Sequence, residues 1–188
     1  DSRAQRLQAQ LNFYASVLVG ALELAAPAVQ EWHVVTILPS LLKGLSSSIV
    51  DFTSAAYIVA AQLVACTSLT TKLCSSLIAR VAAVSHERLR STAVLLLIWI
   101  YDAQKDYKSP MAPKVLETLV NAKWLTDILS SLAKENVAIH SLCVPLIKAA
   151  TEVIQQGTHA NLAIYKQFMQ RLLQDIKFDD NCAGLVIR

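Results

Sequence analysis

Few residues in this sequence stand at spacings that do chemistry. His140 and Cys143 are three apart, close enough to share a helix face and begin a metal site. Zinc asks for two further ligands of the same kind, and none stands near at a similar spacing. Asp102 and Asp106 are four apart, and paired carboxylates can do acid–base work. They flank Lys105 in a polar stretch, however, and read as solvated. Gly20, Gly44, Gly157 and Gly184 are too scattered for a phosphate loop, and no G-x-S-x-G elbow occurs. Cys66, Cys74, Cys143 and Cys182 form no C-x-x-C pair and sit among apolar or small residues, as reduced thiols that pack like small hydrophobes. The expectation is a chain with no catalytic residue, cofactor or metal. What remains is charge. Arg80, His86, Arg88 and Arg90 straddle one turn and form the candidate edge for contact with an acidic protein or with RNA phosphate. No aromatic residue interleaves with them, so base stacking is not suggested. A looser group is Lys105, Lys108, Lys114 and Lys123.

The elements that must position this edge are helices. Apolar residues recur at spacings of three and four throughout, and strand alternation is nearly absent. Helices are expected over 2–24, 29–43, 48–66, 68–84, 87–104, 114–121, 124–134, 137–156 and 159–176, with a further one opening at 182. The expected inner stripes are Leu7, Leu11, Tyr14, Leu18, Ala21 and Ala25 in the first and Trp32, Val35, Leu38, Leu42 and Leu45 in the second. Pro39 and Pro145 predict kinks, Gly44 and Gly157 predict left-handed helix ends, and Ser85 predicts an N-cap. The third helix is apolar on two faces, one through Phe52, Ala55, Ala56, Val59 and Leu63 and one through Ile58, Ala61 and Val64. Such a helix is normally covered on two sides.

The clearest organising feature is the stretch 38–63, an apolar helix, a serine-rich turn and a second helix with Ala55 and Ala56 where the two must approach. A repeat then shows: Phe52-Thr53-Ser54-Ala55-Ala56 aligns with Leu89-Arg90-Ser91-Thr92-Ala93, and Ala56 and Ala93 are 37 residues apart. A period near 40 with two helices per unit is the mark of the HEAT and armadillo class. The fold class is therefore all-α, an α-solenoid of about four helical hairpins over 1–188. The last hairpin reads as truncated, in a piece of a longer protein.

Hydrophobic residues make up 54% of the 188 and charged residues 16%. The longest uncharged apolar run, 93–101, falls well short of the ~20 residues a membrane helix needs. The excess fits helices buried on several sides, and a net charge of +3 neither announces nor excludes a nucleic-acid partner.

Leu11-Asn12-Phe13-Tyr14-Ala15-Ser16, the hairpin Leu41-Leu42-Lys43-Gly44-Leu45-Ser46-Ser47, the run Asp51 to Ile58, Leu73-Cys74-Ser75-Ser76-Leu77 and Ile164-Tyr165-Lys166 together resemble one family. It is the large nucleolar HEAT-repeat protein of the small-subunit processome, the tenth of the U-three-snoRNA-associated (UTP) proteins. Residues 84–156 are similar to it only in helical pattern, and Thr53 stands where the family tends to carry a basic residue. The resemblance implies a non-catalytic nucleolar scaffold in ribosome biogenesis. Its partners would be other protein subunits of the processome, and precursor or small nucleolar RNA within the assembled particle. Precursor-rRNA transcription and pre-18S processing would depend on it. It implies no membrane and no small-molecule substrate. A HEAT or armadillo adaptor of another kind, in nuclear transport or vesicle traffic, is the alternative.

Overall fold

The computed structural model describes residues 2–26, 28–157 and 161–176. The described residues form helices joined by turns: α1 (Ser2–Ala25), α2 (Glu31–Leu45), α3 (Val50–Cys66), α4 (Thr71–Ala82), a 3-10 turn (Glu87–Leu89), α5 (Arg90–Ala103), α6 (Pro113–Asn121), α7 (Trp124–Lys134), α8 (His140–Gln156) and α9 (Leu162–Asp175). No strand occurs among them. They pack as two compact units, Asp1–Tyr107 and Lys108–Arg188, divided within the polar stretch read as an inter-repeat loop.

In the first unit α2 pairs with α3 and α4 pairs with α5, each pair joined by a short turn. Like also meets like, since α2 touches α4, and α1, α3 and α5 lie side by side. This is the two-layer packing of HEAT hairpins, and it explains why α3 carries apolar residues around most of its girth. It faces α1, α2 and α5 at once, and Ala55, Ala56, Tyr57, Val59, Ala60, Leu63 and Val64 are all buried. Ala56 and Ala93, one repeat apart, are both 1% exposed.

The expected inner stripe of α2 holds at its C-terminal end, where Leu45 is buried and Leu38 and Leu42 are half-buried, and fails at its start. Trp32 and Val35 are 60% and 58% exposed, and the buried positions are Leu41, Gly44 and Leu45. Trp32 is held outside by its own turn: its indole N–H donates to Gln30 Oε1 (2.9 Å) and its ring stacks on His33. In α1, likewise, Ala15 and Leu22 are the buried positions while Leu7 is partly exposed.

Gly44 does not take the left-handed conformation expected of it. It lies inside α2, where a Cβ would meet Ala56 Cβ at 2.7 Å and the Phe52 ring at 3.1 Å. The small residues of the hairpin are thus a backbone contact, and the helix runs through Gly44 to Leu45. Ser85 does not cap a long fifth helix either, because the chain first makes the 3-10 turn and α5 begins at Arg90.

In the second unit α9 is the helix that α6, α7 and α8 all touch. The core runs through Leu116, Leu119, Leu125, Leu129, Leu142, Leu146 and Leu172, all 2% exposed or less. Gly157 ends α8 in the left-handed region (φ 66°), as expected. Asn136 makes the turn before it at φ 60°, a region that asparagine tolerates better than most residues. Lys177 to Arg188, with the expected opening helix and Cys182, lie outside the described residues.

Candidate functional site

The candidate edge is built on the turn between α2 and α3. The last carbonyls of a helix have no partner within it, and this turn spreads several of them over a short span. Three later side chains collect them. The Thr53 hydroxyl lies 3.1–3.3 Å from the carbonyls of Gly44, Ser47 and Ile49, with 2% of the residue exposed. Arg80, at the end of α4, donates from Nη1 to the Leu42 carbonyl (3.3 Å) and to the Ser46 hydroxyl. His86 Nε2 donates to the Ser47 carbonyl (3.0 Å).

Two of the four edge residues are therefore committed within the protein. Arg90 pairs with Glu87 across 3.1 Å on the surface of the 3-10 turn, an exposed contact of the kind worth well under ~1 kcal/mol. Arg88 is exposed and stands in no ion pair among the described residues, which makes it the edge residue best placed to meet a partner. The four residues do gather around one turn, but they do so mainly to hold one hairpin against the next.

The same logic recurs 35 to 40 residues apart at the other end of the hairpin. Gln104, buried at the end of α5, uses its whole amide. Nε2 donates to the carbonyls of Val64 and Thr67 (both 2.9 Å), and Oε1 accepts from the Leu69 N–H (2.8 Å). Trp99 donates from its indole to the Ala61 carbonyl (3.2 Å). These bonds close the open end of α3 with residues from the next repeat. Nothing in the local sequence around Gln104 marks this role. Only its distance from Thr67, one repeat length, points to it.

A shallow apolar groove runs between α3 and α5, lined by Tyr57, Ile58, Ala61, Leu95 and Trp99, with Ile58, Leu95 and Trp99 exposed. The Tyr57 hydroxyl is buried without a hydrogen-bond partner, and burial pushes its pKa up to about 12, so it stays protonated at neutral pH.

The other sequence candidates fall apart spatially or chemically. His140 is exposed while Cys143 is fully buried, and Asp102 and Asp106 are both exposed. Among the described residues no group of three or more histidine, cysteine or acidic side chains gathers to hold a metal ion. Cys66, Cys74 and Cys143 form no disulfide with one another, and burial pushes the Cys74 thiol up. No helix of the described residues is long and apolar enough to cross a membrane.

Comparison with known proteins bears on most of the chain. The profile of the U3 small nucleolar RNA-associated protein 10 family matches residues 33–150. That span takes in most of 84–156, where only the helical pattern was similar, so the likeness is broader than the quoted motifs. A HEAT repeat-containing protein 1 homolog from Drosophila melanogaster is 47% identical over 174 residues, covering 93% of this chain and 8% of that protein. The match, the repeat period and the paired helices agree, and the chain belongs to the U3 small nucleolar RNA-associated protein 10 family, with the all-α fold of HEAT-repeat solenoids.

Proposed function

We propose that this chain is a non-catalytic scaffold segment in ribosome biogenesis, acting in the nucleolus. It binds other protein subunits of the small-subunit processome and so supports precursor-rRNA transcription and pre-18S processing. The observation that carries this reading is the family match over residues 33–150. The chain spans a small part of its relative, 8%, so the activity of the whole protein is itself part of the proposal.

The build of the first unit supports a scaffold. Buried Gln104 and half-buried Arg80 and His86 join one repeat to the next. A stack joined in this way keeps a fixed surface for others to dock on. Exposed Ile58, Leu95 and Trp99 suit contact with protein, aromatic anchors being enriched in such interfaces. Arg88 supplies the charged contact of the Arg80–Arg90 edge, where Arg80 and His86 hold the turn in place.

The test is crosslinking with mass spectrometry and RNA sequencing on the tagged full-length protein in nuclear extract. Crosslinks from residues 33–107 to processome subunits are expected. Crosslinks confined to nuclear-transport or vesicle proteins would overturn the assignment.

A further inference from the structure

The second unit holds a cavity of about 190 Å³ where the end of α6, the turn into α7 and the face of α9 meet. Its polar lining is Asn121, Lys123, Thr126, Gln167 and Arg171, with Phe168 among the apolar residues and no carboxylate. Lys123 and Arg171 are exposed and form no ion pair among the described residues. Thr126 is 4% exposed, and its hydroxyl has no hydrogen-bond partner among the described residues. Lys123 is also the residue from which α7 starts, so the positive end of that helix dipole lies at the cavity. Asp127 sits in the first turn of α7 but is exposed and outside the lining.

The cavity thus gathers two cationic side chains, two amides and a hydroxyl, with no carboxylate in its lining. An anion with several acceptor oxygens satisfies these donors together. We propose that this cavity binds a backbone phosphate of a single-stranded RNA. The inference rests on the ribosome-biogenesis reading and adds a place for RNA on the second unit. A phosphodiester is the anion the lining fits. Nucleic-acid phosphates are held by mixed sets of lysine, arginine, threonine and amide side chains with helix N-termini. Phosphorylated peptides are typically held by clusters of arginine, and here there is one. The amides of Asn121 and Gln167 add donors and acceptors within reach of the adjoining sugar, whose 2′-hydroxyl is both.

The test is fluorescence anisotropy of the 188-residue protein with a labelled 12-nucleotide single-stranded RNA over a salt series. Arg171→Gln is expected to weaken binding about tenfold and to flatten the log–log salt slope by about 0.7. Thr126→Val removes no charge. It is expected to weaken binding about threefold at an unchanged slope, which loss of diffuse charge cannot mimic. Lys148→Gln, an exposed lysine away from the cavity, should leave affinity within about twofold. Unchanged binding in both Arg171→Gln and Thr126→Val would overturn the site. So would binding of a phosphoserine peptide without binding of RNA, which would make the occupant a phosphoprotein. Co-precipitation of processome subunits by the full-length protein, measured beside this, separates the two readings. If the subunits co-precipitate and the variants bind RNA normally, the cavity assignment fails and the scaffold stands.

Discussion

Gly44→Ala tests the close approach of α2 and α3. In an ordinary helix interior, replacing glycine by alanine stabilises by about 1 kcal/mol. At Gly44 the new methyl would stand 2.7 Å from Ala56 Cβ and 3.1 Å from the Phe52 ring. Carbon atoms rest at ~3.5–4.0 Å, so α2 and α3 must part by roughly 1 Å at this point. Overpacking of this kind costs about 1–3 kcal/mol, and neither obstacle can easily give. Ala56 Cβ is fixed to the α3 backbone, and Phe52 packs edge-on against Tyr14 of α1. The packing term therefore outweighs the propensity gain, and the net expectation is a loss of about 1 kcal/mol. Gly20 is the internal control. It lies within α1, and a Cβ there meets nothing within 4 Å, so Gly20→Ala should stabilise by about 0.5–1 kcal/mol. The two substitutions are chemically identical and opposite in sign. Urea denaturation followed by circular dichroism reads both, and adding Ala56→Gly closes a double-mutant cycle. The favourable coupling of Gly44→Ala with Ala56→Gly should be at least about 0.5 kcal/mol. If Gly44→Ala stabilised as Gly20→Ala does, or if the cycle showed no coupling, the close approach of α2 and α3 would be wrong.

Further outcomes follow from the ties between repeats. Gln104→Leu keeps the volume but strands two carbonyls and one N–H, and should cost about 3 kcal/mol or more in the same denaturation assay. Ala93→Glu places an unpaired carboxylate at a fully buried helix contact and should abolish the cooperative thermal transition. Tyr57→Phe removes a buried hydroxyl that has no partner, and should leave stability at pH 7 unchanged or raise it by up to about 1 kcal/mol. The Tyr57 phenol holds its proton to about pH 12 in the folded chain, against an unfolded value of 10.0. Its contribution is thus fully present below pH 10 and is lost as pH rises towards 12. The fall in melting temperature across that window should be shallower in Tyr57→Phe than in the parent.

The sequence by itself determined the class of structure. Helical spacing, sparse glycine and proline, and the 37-residue separation of Ala56 and Ala93 are all local or periodic facts, and each reappears in the fold. Gly157 was legible for the same reason, since a left-handed helix end needs only the residue and its place. Which face of each helix turns inward was not legible. A helix rich in apolar residues on several sides has no unique stripe, and its neighbours choose for it. Trp32 and Val35 lie outside and Leu41 inside because α2 meets α3 along the line through Leu41, Gly44 and Leu45. Gly44 carried a signal with two meanings, helix end or close approach, and only the position of Ala56 decides between them. Arg80 and His86 looked like a free charged edge because their acceptors, the carbonyls of Leu42 and Ser47, lie 38 and 39 residues earlier. The cavity beside Thr126 was hidden likewise. It joins the α6–α7 turn to α9, some 40 residues away: Ile164, Gln167, Phe168 and Arg171 share one helix face by their spacing, but nothing along the chain says what that face meets. Backbone propensity and period act along the chain and can be read there, whereas the pairing of polar groups across repeats exists only once the helices are stacked.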